Sequence, residues 1–116
     1  MGVDCLNYVD QILHTAEIIG GETYFPEQPR ETYAAWGDAI EADGSDHGNE
    51  LQRHEVEIEL YELMDKPDPG AHERLQKTLN AEALRWRKEP RVLDTQFRLF
   101  MTRYTFFYTE RVEYDE

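Results

Sequence analysis

The residues with the most chemistry to offer gather in the middle of the chain, where Asp43, Gly44, Ser45, Asp46, His47 and Glu50 crowd together and His54 follows. Asp43, Gly44 and Glu50 match the fifth, sixth and twelfth positions of a calcium loop that would begin at Ala39. Its first position is then alanine where a carboxylate is required, and the flanks read as strands where helices are needed. Turn chemistry accounts for the same residues more simply, since Asp43 and Asp46 suit local bonds to backbone amides and Gly44 tolerates a positive φ. A hydrolytic trio of Ser45, Asp46 and His54 would have to be assembled in space, and nothing in its spacing selects it. His14, His47, His54 and His72 form no short-spaced ligand pair, and with Cys5 the only cysteine there is no zinc signature. No glycine loop of the phosphate-cradling kind occurs. The sequence therefore assigns no catalytic, cofactor-binding or metal-ligating residue, and reads as a non-enzyme.

Two further groups have a chemical and a structural reading. Cys5 stands beside the helix face marked by Leu6 and Val9, which suits a small buried or half-buried side chain better than a nucleophile. Phe97, Phe100, Tyr104 and Phe106, interleaved with Arg98 and Arg103, could stack single-stranded bases. Filling a core is the commoner use of aromatics on a central strand, and the net charge of −13 opposes a nucleic-acid platform.

The elements that must position these residues are legible from periodicity. In 54–61, Val56, Ile58 and Leu60 share one face and Glu55, Glu57, Glu59 and Tyr61 the other, which predicts a strand with one face buried. Thr32, Tyr33, Ala34, Ala35 and Trp36, extended by 38–41, predict its hairpin partner across a long acidic loop over 42–49. Over 3–19, Leu6, Val9, Ile12, Leu13, Ala16 and Ile19 form the stripe of an amphipathic helix, with Asp4 as cap and Gly20 and Gly21 as the stop. Pro26 and Pro29, behind Tyr24 and Phe25, make a stiff extended connector. Asp68 as N-cap and Pro69 at the first position predict a second helix carrying Ala71, Leu75, Leu79 and Ala83. Residues 84–88 alternate as a third strand, and the aromatic- and threonine-rich run 95–112 is a fourth. In that run Phe97, Leu99 and Met101 share one parity and Tyr104, Phe106 and Tyr108 the other. A β-bulge over 101–103, or burial on both faces, would account for the switch. The expectation is a single α+β domain over 1–116, an antiparallel sheet of about four strands with two helices packed on it, in the order α-β-β-α-β-β.

Composition narrows the class. At 116 residues the chain can bury one core without a disulfide or metal staple. A single cysteine fits a reducing compartment, and no apolar run approaches a membrane span, so a soluble, intracellular protein is expected. Charge is divided unevenly: residues 1–65 hold Arg30 and Arg53 against sixteen acids, net −14, while 66–116 hold ten bases against nine acids, net +1. A solvated acidic face explains this, and so does head-to-tail assembly in which an acidic surface meets a more basic one on a neighbour.

Taken together, the N-terminal amphipathic helix, Phe25-Pro26, Tyr33-Ala34-Ala35-Trp36, the acidic stretch from Glu41 to Asp46, the strand Ile58-Glu59-Leu60-Tyr61, a short helix and a final aromatic strand resemble, in order and spacing over most of the chain, the tail-completion or tail-terminator proteins of long-tailed bacteriophages and prophages. The resemblance implies an α+β fold, no catalytic residues and no cofactor. It further implies self-association, in many members as a hexameric ring on the tail tube, with tail-tube or connector proteins as partners. It places the protein in the virion tail, or in the host cytoplasm during assembly, with no membrane contact and no direct sequence-specific nucleic-acid binding. The candidate assembly contacts are Glu41, Asp43 and Asp46 in the hairpin and Glu55, Glu57 and Glu59 on its exposed face. An acidic surface would also suit a channel through which DNA slides. The alternative from another class is a small acidic adaptor or DNA-mimic inhibitor of a host protein, resting on the glutamate row Glu55, Glu57, Glu59.

Overall fold

A computed structural model of the chain describes residues 5–22, 31–44 and 49–113. Helix α1 (Cys5–Thr15) turns Cys5, Val9, Ile12 and Leu13 into the core, while Leu6, expected on that stripe, is exposed. The helix does not run on to the glycines. Glu17 takes the left-handed conformation at φ 57°, its N–H donates to the His14 carbonyl, and the Ile18 N–H donates to the Leu13 carbonyl. This is a Schellman closure, formed here without glycine. Gly20 and Gly21, expected as the stop, lie in strand β1 (Ile19–Glu22). A Cβ on Gly20 would overlap the Leu13 side chain, so glycine is what lets this strand lie close under α1.

The remaining elements are β2 (Tyr33–Gly44), β3 (Asn49–Leu63), α2 (Pro69–Ala81), β4 (Trp86–Lys88), β5 (Val92–Asp94) and β6 (Leu99–Glu113). The fold is α+β, but the expected four-stranded antiparallel sheet and its α-β-β-α-β-β order are overturned. Among the described residues the sheet has six strands in the order β1-β2-β3-β6-β4, with β5 also beside β6, and the element order is α-β-β-β-α-β-β-β. It is mixed, because β1 runs parallel to β2 from Ile19 opposite Tyr33 to Glu22 opposite Trp36. Both extra strands are short edges. One holds two glycines and the other is exposed at all three residues, so neither leaves a period-two pattern to read.

The two hairpin strands are longer than expected. β2 and β3 pair continuously from Tyr33 opposite Tyr61 to Gly44 opposite Glu50, so both strands reach into the expected loop over 42–49, of which 45–48 lie outside the described residues. The same register removes the calcium-loop geometry, since Ala39 and Glu50 lie within strands. β3 and β6 pair without interruption from Asn49 opposite Glu113 to Leu63 opposite Leu99, so β6 has no bulge against β3. The extra residue lies in the neighbouring edge instead. Lys88 faces Tyr104 and Val92 faces Met101, so four steps along the edge answer three along β6. Pro90, which has no N–H to donate, falls in this interruption. The aromatic run expected from residue 95 begins its strand only at Leu99, because Asp94 Oδ1 accepts the N–H groups of Gln96 and Phe97 in a turn and Arg98 sits at φ 54°.

Both helices pack on one face of the sheet. Val9, Ile12 and Leu13 of α1, with Ala71, Leu75 and Leu79 of α2, meet Ala34, Trp36, Val56, Ile58, Leu60, Tyr104 and Phe106. Burying each large apolar side chain is worth about 1.5–3 kcal/mol. α2 begins as its sequence predicts, with Asp68 accepting the Ala71 N–H at 3.1 Å and Pro69 in the first turn. It ends before Ala83, which takes φ 56° and is exposed. Among the described residues no helix is long and apolar enough to cross a membrane.

Candidate functional site

Strand alternation divides the expected contact residues from a second set that the sequence did not single out. On the helix-free side of β3 stand Glu55, Glu57 and Glu59, each exposed or half-buried. Arg103, opposite Glu59 in the ladder, reaches Glu59 at 3.2 Å, Glu89 at 3.3 Å and Glu57 at 3.9 Å. Its hydrogen bond to Glu59 leads the influences that raise the guanidinium above its ordinary pKa. Arg53 lies over the Phe107 ring at 4.1 Å. The acidic row is thus seamed with two cations and an exposed aromatic, a surface of mixed charge. Of the hairpin candidates, Glu41 stands opposite Arg53 and Asp43 opposite Leu51 in the ladder, and Asp46 lies outside the described residues. The trio of Ser45, Asp46 and His54 has two members there as well.

The side of β3 facing the helices carries a row that is apolar in its middle and ionisable at its ends: His54, Val56, Ile58, Leu60 and Glu62, all buried. Each polar end has recruited partners, as burial demands. At one end His54 Nδ1 lies 2.5 Å from Asp38 Oδ2, and His54 Nε2 lies 3.2 Å from Glu110 Oε1. The Glu110 oxygen also accepts the N–H of Cys5 at 2.9 Å, so β6 supplies a carboxylate to the start of α1, where helix N–H groups need an acceptor. Cys5, Asp38 and His54 each place a ligating atom within 4.8 Å of the others. His54 Nε2 is buried and makes no hydrogen bond. Four elements, α1, β2, β3 and β6, meet at this point.

At the other end Glu62 is 1% exposed. Its Oε1 lies 2.6 Å from His72 Nε2 and its Oε2 accepts the Asp68 N–H at 2.8 Å. His72 Nδ1 is 2.6 Å from the Tyr104 hydroxyl, which also accepts from Gln76 Nε2 at 3.0 Å. Each polar group is satisfied by the next, and the chain fastens α2 to β3 and β6. A cavity of about 620 Å³ lined by Glu62, His72, Thr102, Lys88, Glu89 and Arg91 opens beside it. A second, of about 420 Å³ between the helices, is bordered by Tyr8, Ile12, Arg74, Lys77 and Glu82. Neither cavity is lined by Cys5, Asp38, His54 or Glu110.

The aromatics do not form one stacking platform. Tyr104 and Phe106 are fully buried, Phe97 is exposed in the turn, and Phe100 is covered by the Arg91 guanidinium at 3.9 Å. The signal that could have revealed both buried clusters lies in strand parity. His54 and Glu62 continue the buried row of Val56, Ile58 and Leu60, and a charged residue in phase with a buried row needs a partner.

In comparisons with known protein families and with curated proteins, no family model and no curated protein matches this chain.

Proposed function

We propose that the protein is a structural subunit of the head–tail junction of a long-tailed bacteriophage or prophage, working by contact with copies of itself and with a tail-tube or connector protein. The observation that carries this reading is the exposed sheet surface, where Glu55, Glu57 and Glu59 alternate with Arg53, Arg103 and the exposed Phe107. No described helix covers that surface. The strands bearing it run most of the 54 Å length of a body only 28 by 22 Å across. A long surface of mixed charge with an aromatic on it suits docking between proteins, where aromatics and arginines carry much of the binding energy. The reading assigns the chain no bond-making step.

The acidic adaptor or DNA-mimic alternative draws less support, because Arg103 neutralises part of the row that a phosphate mimic would keep acidic.

The test is mass in solution over a range of concentrations, with negative-stain imaging in the presence and absence of purified tail tubes. Rings, or caps on the tube ends, are expected, together with their loss in a Glu55→Lys, Phe107→Ala double variant that keeps its far-ultraviolet circular dichroism. A protein monomeric at all concentrations that also leaves the tubes uncapped would overturn the proposal.

A further inference from the structure

We infer that Cys5, His54 and Asp38, with Glu110 beside them, form a binding site for a divalent transition-metal ion of the zinc type. The inference starts from the imidazole. His54 is 3% exposed and has a carboxylate at each nitrogen, Asp38 at 2.5 Å from Nδ1 and Glu110 at 3.2 Å from Nε2. A neutral imidazole has one N–H, so it can satisfy one carboxylate and must turn a bare lone pair towards the other. Buried acceptors facing each other repel unless a cation lies between them. An N–H on either nitrogen leaves the other bare and facing a carboxylate. Nε2 makes no hydrogen bond, although it faces a carboxylate oxygen.

The donors gathered here are what a small borderline-soft ion takes: the Cys5 thiol sulfur, a His54 imidazole nitrogen and an Asp38 carboxylate oxygen. Metal–ligand bonds of about 2.0–2.3 Å in a tetrahedron put neighbouring ligand atoms about 3.3–3.8 Å apart. The 4.8 Å limit on the Cys5, Asp38 and His54 atoms leaves about an ångström of closure to reach that spacing. A metal-binding histidine normally gives its other nitrogen to a carboxylate, which fixes the ring. Here a carboxylate is present for either nitrogen, so the ring is held whichever one binds. Loading would release the Cys5 thiol proton to solvent, since the thiolate is the ligand.

The donors come from positions 5, 38 and 54, with Glu110 beside the imidazole, so an ion here would tie the first turn of α1 to β2 and β3. Cys5 and His54 are buried while Asp38 is exposed, so the site lies at the surface end of the core, with a side from which an ion can enter.

The test uses the full-length protein freed of metal with a chelator, then titrated with Co²⁺ as a spectroscopic probe and with Zn²⁺. Expected are a thiolate-to-cobalt charge-transfer band that saturates at equimolar metal, displacement of that band by Zn²⁺, and a Zn²⁺-dependent rise in melting temperature. Cys5→Ser should abolish the band, and Asp38→Asn should weaken binding by about tenfold or more. Circular dichroism of the metal-free variants separates loss of a ligand from loss of fold, and Asp38→Asn serves if Cys5→Ser does not fold. Absence of the band, or Zn²⁺ binding undiminished in the variants, would overturn the inference. The first result would leave His54 holding its two carboxylates without an ion, and the second would put the ion on the acidic surface.

Discussion

The Nε2 of His72 lies 2.6 Å from Oε1 of Glu62, a carboxylate that is 1% exposed at the end of an otherwise apolar strand row. Beyond His72 its described partner is the Asp68 N–H, so His72 holds much of the compensation for burying it. Removing one partner of a buried pair leaves an uncompensated group, whereas replacing both by apolar residues can be nearly neutral. His72→Ala should therefore cost about 3 kcal/mol in urea unfolding. The Glu62→Leu, His72→Leu double variant should lose less than His72→Ala alone. A double variant that is worse than the single one would show that the network holds α2 through Asp68 and Tyr104 more than through the ion pair.

Alkaline stability should fall from about pH 10 upwards. Tyr8, Tyr33, Tyr61 and Tyr104 are all raised from 10.0, with burial as the leading cause in each, and Tyr8 is raised further by its hydrogen bond to Glu82. Above pH 10 the unfolded chain loses these protons while the folded chain keeps them, so the folded state binds more protons and stability declines with rising pH. Below the unfolded value the contribution is fully present. Urea midpoints measured between pH 8 and about pH 11 test this. Tyr61→Phe, which keeps the ring stacked on Tyr33 at 5.0 Å, should make the decline shallower.

The two helices end alike, on residues that favour other conformations. Glu17 and Ala83 sit at φ 57° and 56°, followed by the Ile18-to-Leu13 and Leu84-to-Leu79 backbone bonds. A left-handed residue other than glycine costs roughly 1–2 kcal/mol, partly offset in a glycine variant by the entropy of the unfolded chain. Glu17→Gly and Ala83→Gly should each stabilise the protein by about 0.5–1 kcal/mol, read from thermal or urea unfolding.

Two strand glycines should answer alanine with opposite signs. At Gly20 a Cβ would overlap the side chain of Leu13, which is itself buried and has little room to give. Gly20→Ala should cost about 1–3 kcal/mol. At Gly37 nothing lies within 4 Å of an added Cβ, and Gly37→Ala should gain about 0.5–1 kcal/mol by reducing unfolded-state freedom. A destabilising Gly37→Ala would show that unfolded-state freedom does not decide the sign at this position.

Local physics made much of this protein readable in advance. The buried row Val56, Ile58, Leu60, the stripe Val9, Ile12, Leu13, and the Asp68–Pro69 start of α2 are set by neighbours in the chain, because a face buried on one side imposes its own period and a cap bonds within a turn. The placement of Glu55, Glu57 and Glu59 on the solvent side follows from the same alternation. Only the folded structure decided that β1 runs parallel to β2, that β5 completes an edge interrupted at Pro90, and that α1 stops at Glu17. These outcomes depend on which strand comes to lie beside which, and short edges and left-handed caps carry little pattern of their own. Tertiary structure alone also brought Cys5, Asp38, His54 and Glu110 to one point. The proximity of groups so far apart in the chain is fixed by sheet register and helix docking, not by spacing.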